Sequence, residues 1–194
     1  MAESIVKTIK LPKEIQVELK DKDNLVLKGP KGTISKKFKT HRVMLTIEGN
    51  NLILEGSPKN KQTDMLVETI TSHIKNMVEG LVAGYRYELK VVYSHFPMSI
   101  QVDKDNVNIK NFIGEKFPRK SKIIGTTKVE IKGQDVFVSG TNKEDVGQTA
   151  SNLERKTKVK NKDIRRYQDG IYVINRGNID EHKGKFVEVV RGRE

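Results

Sequence analysis

This chain of 194 residues contains no cysteine and no tryptophan. The first absence excludes disulfides, iron–sulfur clusters, thiolate zinc sites and cysteine nucleophiles together, and points to an intracellular protein. Aromatic residues make up only 6% of the chain, too few for a surface that reads RNA by stacking successive bases on adjacent strands. No apolar run approaches the roughly 18 residues of a membrane span, and Glu3, Lys7 and Lys10 interrupt the region where a secretion signal would place its apolar core. No membrane association is expected. His41, His73, His95 and His182 stand singly, without a second ligand three to five residues on, so no metal site is expected either. There is no Walker loop, dinucleotide fingerprint or nucleophile elbow. The carboxylates stand beside lysines or arginines in alternating stretches, as Glu130 does between Lys128 and Lys132, and no catalytic acid pair stands out. Catalytic residues, cofactors and a small-molecule substrate are therefore not expected.

What the chain has is positive charge. Lys and Arg number 37 against 25 Asp and Glu, a formal net charge of +12. The excess is concentrated: between Arg155 and Arg166 lie Arg155, Lys156, Lys158, Lys160, Lys162, Arg165 and Arg166, opposed only by Asp163. A second basic stretch holds Lys116, Arg119, Lys120 and Lys122 around Phe117, and a third holds Lys31, Lys36, Lys37, Lys39 and Arg42 around Phe38. One such stretch is often only a solvated face. Three in a small chain, each with an aromatic nearby (Phe38, Phe117, Tyr167), point to nucleic acid, whose phosphates would exchange condensed counterions for lysines and arginines. With so few aromatics, the expected target is folded RNA recognised by shape and backbone. Composition alone leaves open an enzyme acting on RNA and a module that binds acidic proteins. The run Gly29-Pro30-Lys31-Gly32 fits the GxxG loop of a KH domain, but alternating strand patterns flank it where helices are required, so it is expected to be a turn.

Laid on itself, the chain repeats. The tetrad Asp21 to Asn24 recurs at Asp103 to Asn106, and at that offset Leu25, Leu27, Lys28 and Gly32 fall on Val107, Ile109, Lys110 and Gly114. Two residues further out of step, Leu45, Ile47, Gly49, Leu52, Leu54, Gly56 and Ser57 fall on Val129, Ile131, Gly133, Val136, Val138, Gly140 and Thr141. Each copy reads as strands, then a hairpin turning at Gly49 or Gly133, then one amphipathic helix. Leu66, Val67, Ile70, Ile74, Met77, Val78 and Leu81 form the apolar stripe of the first helix. In the second, Asn142 and Asp145 mark the start, with Val146, Ala150 and Leu153 facing inward. The expected fold is α+β: two tandem duplicated domains, each a mostly antiparallel sheet packed with one main helix. Residues 1–84 form the first repeat, 85–175 the second with the basic extension, and 176–194 a charged tail. The expected cores are Leu45, Ile47, Leu54, Leu66, Ile70 and Ile74, and Val129, Ile131, Val138, Val146, Ala150 and Leu153. The stretch from Lys156 to Arg166 is expected to be extended and poorly ordered in the isolated protein and fixed only on bound RNA, because its charges repel and only Val159 and Ile164 offer apolar anchorage.

Four stretches, VYSHFP (Val92 to Pro97), IKNFIGEK (Ile109 to Lys116), VGQTA (Val146 to Ala150) and KVKNKDIRRYQDGIYV (Lys158 to Val173), resemble the large-subunit ribosomal proteins of the L six family, called L nine in eukaryotes. The ending sides with the archaeal and eukaryotic branch. The resemblance runs to about Val173 and implies a non-enzymatic structural constituent of the large ribosomal subunit. It further implies binding of folded large-subunit ribosomal RNA near the sarcin–ricin loop and the translation-factor site, with neighbouring ribosomal proteins as further partners. The implied setting is the cytosolic ribosome, reached through the nucleolus in a eukaryote. Tyr93, Ser94 and His95 would then sit in an RNA-facing turn and Lys158 to Tyr167 in the RNA-contacting extension. The full candidate set joins Tyr93, Ser94 and His95 to Lys116, Arg119, Lys120, Lys122, Arg155, Lys156, Lys158, Lys160, Lys162, Arg165, Arg166 and Tyr167.

Overall fold

The computed structural model describes residues 4–21, 24–38, 41–179 and 188–191. The chain divides into two compact units, Met1–Ala83 together with Asp180–Glu194, and Gly84–Ile179.

In the first unit, β1 (Ile5–Lys10), β5 (Val43–Glu48) and β6 (Asn51–Gly56) form an antiparallel sheet, and β2 (Gln16–Asp21), β3 (Asn24–Gly29) and β4 (Gly32–Lys37) form a separate three-stranded one. One helix, α1 (Lys61–Val82), packs against both. It starts where the Asn60 side chain accepts a hydrogen bond from the Thr63 amide at 2.8 Å, satisfying one of the donors a helix start leaves open. The second unit repeats the plan. Strands β7 (Tyr85–Val92), β11 (Lys128–Lys132) and β12 (Asp135–Gly140) pair in one sheet, with β8 (Ser99–Asp103), β9 (Asn106–Lys110) and β10 (Arg119–Lys122) in the other, and α2 (Lys143–Lys156) packs against them.

The two hairpins have the same register. Leu45 lies opposite Leu54 and Ile47 opposite Leu52, while Val129 lies opposite Val138 and Ile131 opposite Val136. Their turns place Gly49 at φ 60° and Gly133 at φ 62°, where a side chain is strained. Gly56 and Gly140, at the ends of the two hairpins, sit directly under a helix. A Cβ on Gly56 would lie 2.6 Å from Thr63, and one on Gly140 would lie 2.9 Å from Val146.

Most of the expected core residues are inside. Leu54, Ile70, Ile74, Val138, Val146, Ala150 and Leu153 are buried, and Leu45, Ile47, Val129 and Ile131 pack partly buried against the same clusters. Leu66 is a correction, since it is 36% exposed. The buried stripe of α1 runs Val67, Ile70, Ile74, Met77, Val78 and Leu81, and Leu66 lies about 100° around the helix from Val67. Phe38 is a second correction. It is buried in the first core, so it is not a surface aromatic beside the basic stretch.

The expected end of the second repeat at residue 175 also shifts. Strand β13 (Gly170–Asn178) runs three residues further because β7 is long enough to pair with it up to Asn178 opposite Tyr85, across a bulge between Val173 and Asn175. A last strand, β14 (Glu188–Arg191), pairs antiparallel with β1. It therefore occupies in the first unit the edge that β13 occupies in the second. Of the expected tail, residues 180–187 and 192–194 lie outside the described residues, His182 among them.

Candidate nucleic-acid interface

Three segments of the second unit meet: the turn Tyr93 to Pro97 after β7, the loop Asn111 to Pro118 between β9 and β10, and the loop from Lys158 to Asp169 between α2 and β13. Hydrogen bonds through side chains far apart in sequence join them. Asp169, 1% exposed, accepts from the Ser94 amide at 2.7 Å, the His95 amide at 3.1 Å and His95 Nδ1 at 2.7 Å. Burial alone would push this carboxyl up. The hydrogen bonds from His95 and Ser94 outweigh that and hold it below the usual aspartate value. The His95 ring also stacks on Tyr167, centroids 4.4 Å apart, and Lys162 lies 4.7 Å from the centre of the Tyr167 ring. The turn and the basic loop are thus fastened to each other by one buried carboxylate and one ring stack.

The other loop is tied in at two points. Asn111 Nδ2 donates to the Pro97 carbonyl at 3.0 Å. Arg119 grips both oxygens of Glu115, covers the Phe112 ring at 4.2 Å and donates to the Lys156 carbonyl at 2.6 Å, at the end of α2. That ion pair holds the Glu115 carboxyl below its ordinary value. Thr157 closes the base of the long loop: its buried hydroxyl accepts from the Ile171 amide at 2.9 Å, joining the end of α2 to the start of β13.

This geometry corrects the expectation of a free extension. Arg155 and Lys156 belong to the last turn of α2, where their charge suits the negative end of the helix dipole. Beyond Thr157, Val159 packs on the core, and Asp163 caps a turn by accepting from the Arg165 amide at 2.9 Å. Ile164, the other expected anchor, is 68% exposed and holds nothing.

Of the candidate residues, Lys116, Lys120, Lys122, Arg155, Lys156, Lys158, Lys160, Lys162, Arg165 and Arg166 are exposed. Tyr93, Ser94 and His95 are exposed on the turn, the His95 side chain is 29% accessible where it stacks on Tyr167, and Tyr167 is half-buried. Arg119 is occupied internally and positions the loop. Sequence reasoning passed over Asp169, Asn111 and Thr157, and the one available signal was an isolated acid, Asp169, closing a run of basic residues. In the first unit Lys31, Lys37 and Arg42 are likewise exposed and Lys36 is half-buried, and three of these cations contact their own unit. Lys31 donates to the Ala83 carbonyl at the end of α1, Lys36 lies 3.1 Å from His73 Nδ1, and Arg42 donates to Gln62 at 2.8 Å.

No group of three metal-ligating side chains occurs among the described residues, and no helix among them is long and apolar enough to cross a membrane. The family model described as ribosomal protein L6 matches the chain twice, over residues 11–84 and 96–170. Curated relatives are similar over nearly their whole length. One from Methanobrevibacter smithii is 42% identical over 176 residues, 91% of this chain and 98% of the relative. One from Staphylothermus marinus is 45% identical over 89% of this chain and 95% of its own. One from Methanosarcina mazei is 40% identical over 91% and 99%. Each carries the description large ribosomal subunit protein uL6.

Proposed function

This chain belongs to the ribosomal protein L6 family, in its archaeal type, and from that premise we propose that it is a structural constituent of the large ribosomal subunit that binds folded ribosomal RNA through its second unit. It acts as a structural protein and not as an enzyme. The observation that carries the binding site is the convergence of three separate segments, by way of Asp169 and Arg119, on a surface of exposed lysines and arginines.

A fixed array of cations on an anchored backbone suits a folded polyanion. Each phosphate contact releases condensed counterions, so affinity falls steeply with salt, and a backbone already held in place has little order left to gain on binding. Within the subunit, the family resemblance supports a position near the sarcin–ricin loop and the translation-factor site, with ribosomal proteins as neighbours.

Filter binding of the full chain to deproteinised large-subunit ribosomal RNA across a salt series tests the proposal. Reversal of Arg165 and Arg166 to Glu is expected to weaken binding at least tenfold and to flatten the salt dependence. Reversal of Lys13 and Lys20, exposed in the first unit, is expected to have little effect. Equal losses from the two pairs would overturn the assignment to the second unit. Hydroxyl-radical footprinting of the bound RNA places the contact, and protection confined to regions away from the sarcin–ricin loop would overturn that position.

A further inference from the structure

The three aromatics beside the basic stretches have different fates. Phe38 is in a core, and Tyr167 is covered on its faces by His95 and Lys162. Phe117 is 85% exposed, the highest value among the exposed large hydrophobic side chains of the described residues. A phenyl ring held in water has no stabilising role in the fold.

The backbone that presents it is unusually constrained. Asn111 has φ 58°, Ile113 φ 50° and Gly114 φ 77°, so three residues within four are left-handed, one of them β-branched. Such a conformation persists only where surrounding contacts hold it. Here they are the buried Phe112 ring under Arg119, the Arg119–Glu115 pair, the Asn111 bond to Pro97, and the Phe96 ring, which a Cβ on Gly114 would meet at 3.4 Å. The loop ends in Lys116-Phe117-Pro118, with Lys120 and Lys122 exposed just beyond. Glu115, the acid nearest to Phe117 in sequence, is engaged by Arg119.

The geometry points to Phe117 as a stacking platform for one unpaired nucleobase of the bound RNA, with Lys116, Lys120 and Lys122 neutralising the phosphates on either side of it. This rests on the RNA-binding function proposed above and adds a base contact to a surface otherwise suited to shape and backbone. The surrounding charge is what favours a nucleobase over an apolar pocket on another protein. An exposed ring on a loop that carries the exposed Lys116 and leads into Lys120 and Lys122 suits a partner that is aromatic and polyanionic together, and every base offers a π face without demanding a particular sequence.

The chain's lack of tryptophan supplies the test, since Phe117→Trp creates a single fluorescent reporter in the intact protein. Titrated with deproteinised large-subunit ribosomal RNA, the F117W chain is expected to bind within about twofold of wild type and to lose emission as a base stacks on the indole. Phe117→Ala and Phe117→Leu are each expected to weaken binding by roughly 5- to 100-fold, with the salt dependence unchanged because no phosphate contact is lost. At an exposed position neither should alter the circular dichroism spectrum. Wild-type affinity in F117A or F117L, or an unquenched F117W complex, overturns the inference, and full binding by F117L with loss in F117A assigns the ring to an apolar pocket instead. If the wild-type chain itself fails to bind the RNA, it is the RNA-binding function that falls, and if binding survives reversal of Arg165 and Arg166, it is the assignment to the second unit that falls.

Discussion

The two units share a hairpin register and a helix-on-sheet plan, and they differ at two connections. Between β3 and β4 the first unit turns in two residues, Pro30 and Lys31, whereas between β9 and β10 the second uses the eight residues from Asn111 to Pro118. Helix α1 spans 22 residues, whereas α2 stops after 14 and leaves thirteen residues, Thr157 to Asp169, before β13. Both additions lie in the second unit and carry exposed cations, while Lys31, Lys36 and Arg42 of the first unit make hydrogen-bond contacts with their own unit. A duplicated scaffold has thus kept its core pairing in both copies and placed its charged surface in the loops of one, where extra length does not disturb a packed interior.

The comparison is tested most severely at what the units share. Ile74→Ala and Leu153→Ala each remove a fully buried side chain and are expected to destabilise their own unit by about 2–5 kcal/mol, measured by urea unfolding. A much smaller loss in one unit would mean that the two cores are not equivalent.

The next largest effect belongs to the second unit alone. Asp169→Ala removes a buried acceptor from two part-buried amide donors and is expected to destabilise that unit by about 1–3 kcal/mol, while Asp169→Asn, which retains an acceptor, loses less. Since the folded carboxyl titrates below its unfolded value, its stabilisation is fully present above about pH 5 and is lost as the pH falls through the folded value. Acid unfolding of the second unit should therefore be less steep in D169N than in wild type. Identical acid transitions would show that Asp169 does not hold the loops together.

A finer probe is the pair of turn glycines. Gly49→Ala and Gly133→Ala place a methyl group at nearly the same left-handed φ with no neighbour within 4 Å, so each is expected to cost about 1 kcal/mol, and to cost the same. Unequal thermal shifts in the separated transitions would break the structural equivalence of the hairpins. The smallest effect is expected at the helix starts. Asn60→Ala and Asn142→Ala each lose about 1 kcal/mol or less, with Asn60 the costlier because its side chain accepts from both the amide and the hydroxyl of Thr63.

The sequence carried the repeated parts of this structure well. Alternation and matched glycines located both hairpins to the residue, because period-two patterning with a left-handed glycine leaves little freedom in register. The same signals could not decide which apolar residue of an adjacent pair faces the core, so Leu66 was expected inside with Val67. At the candidate site, exposed cations were legible as charge runs. What fastens them was not: Asp169 meets Ser94 and His95 from about 75 residues away, and Arg119 reaches Lys156 across 37. No local pattern distinguishes an arginine bound for a carbonyl from one bound for a phosphate. Nor does local alternation reveal that Glu188 to Arg191 pairs with a strand near the other end of the chain.

That last pairing bears on how the protein emerges from the machine that makes it. Synthesis runs from β1 onward, so the first unit's helix and hairpin are available early, while β14, the strand that covers the outer edge of β1, is added only after the whole second unit has been translated. Until then a nascent chain presents an open strand edge, the kind of surface that recruits other unpaired strands and draws chaperones. A product cut short after the second unit would retain that edge permanently. Surveillance of incomplete chains would in this way have a physical mark to act on, set by the order in which the strands are made.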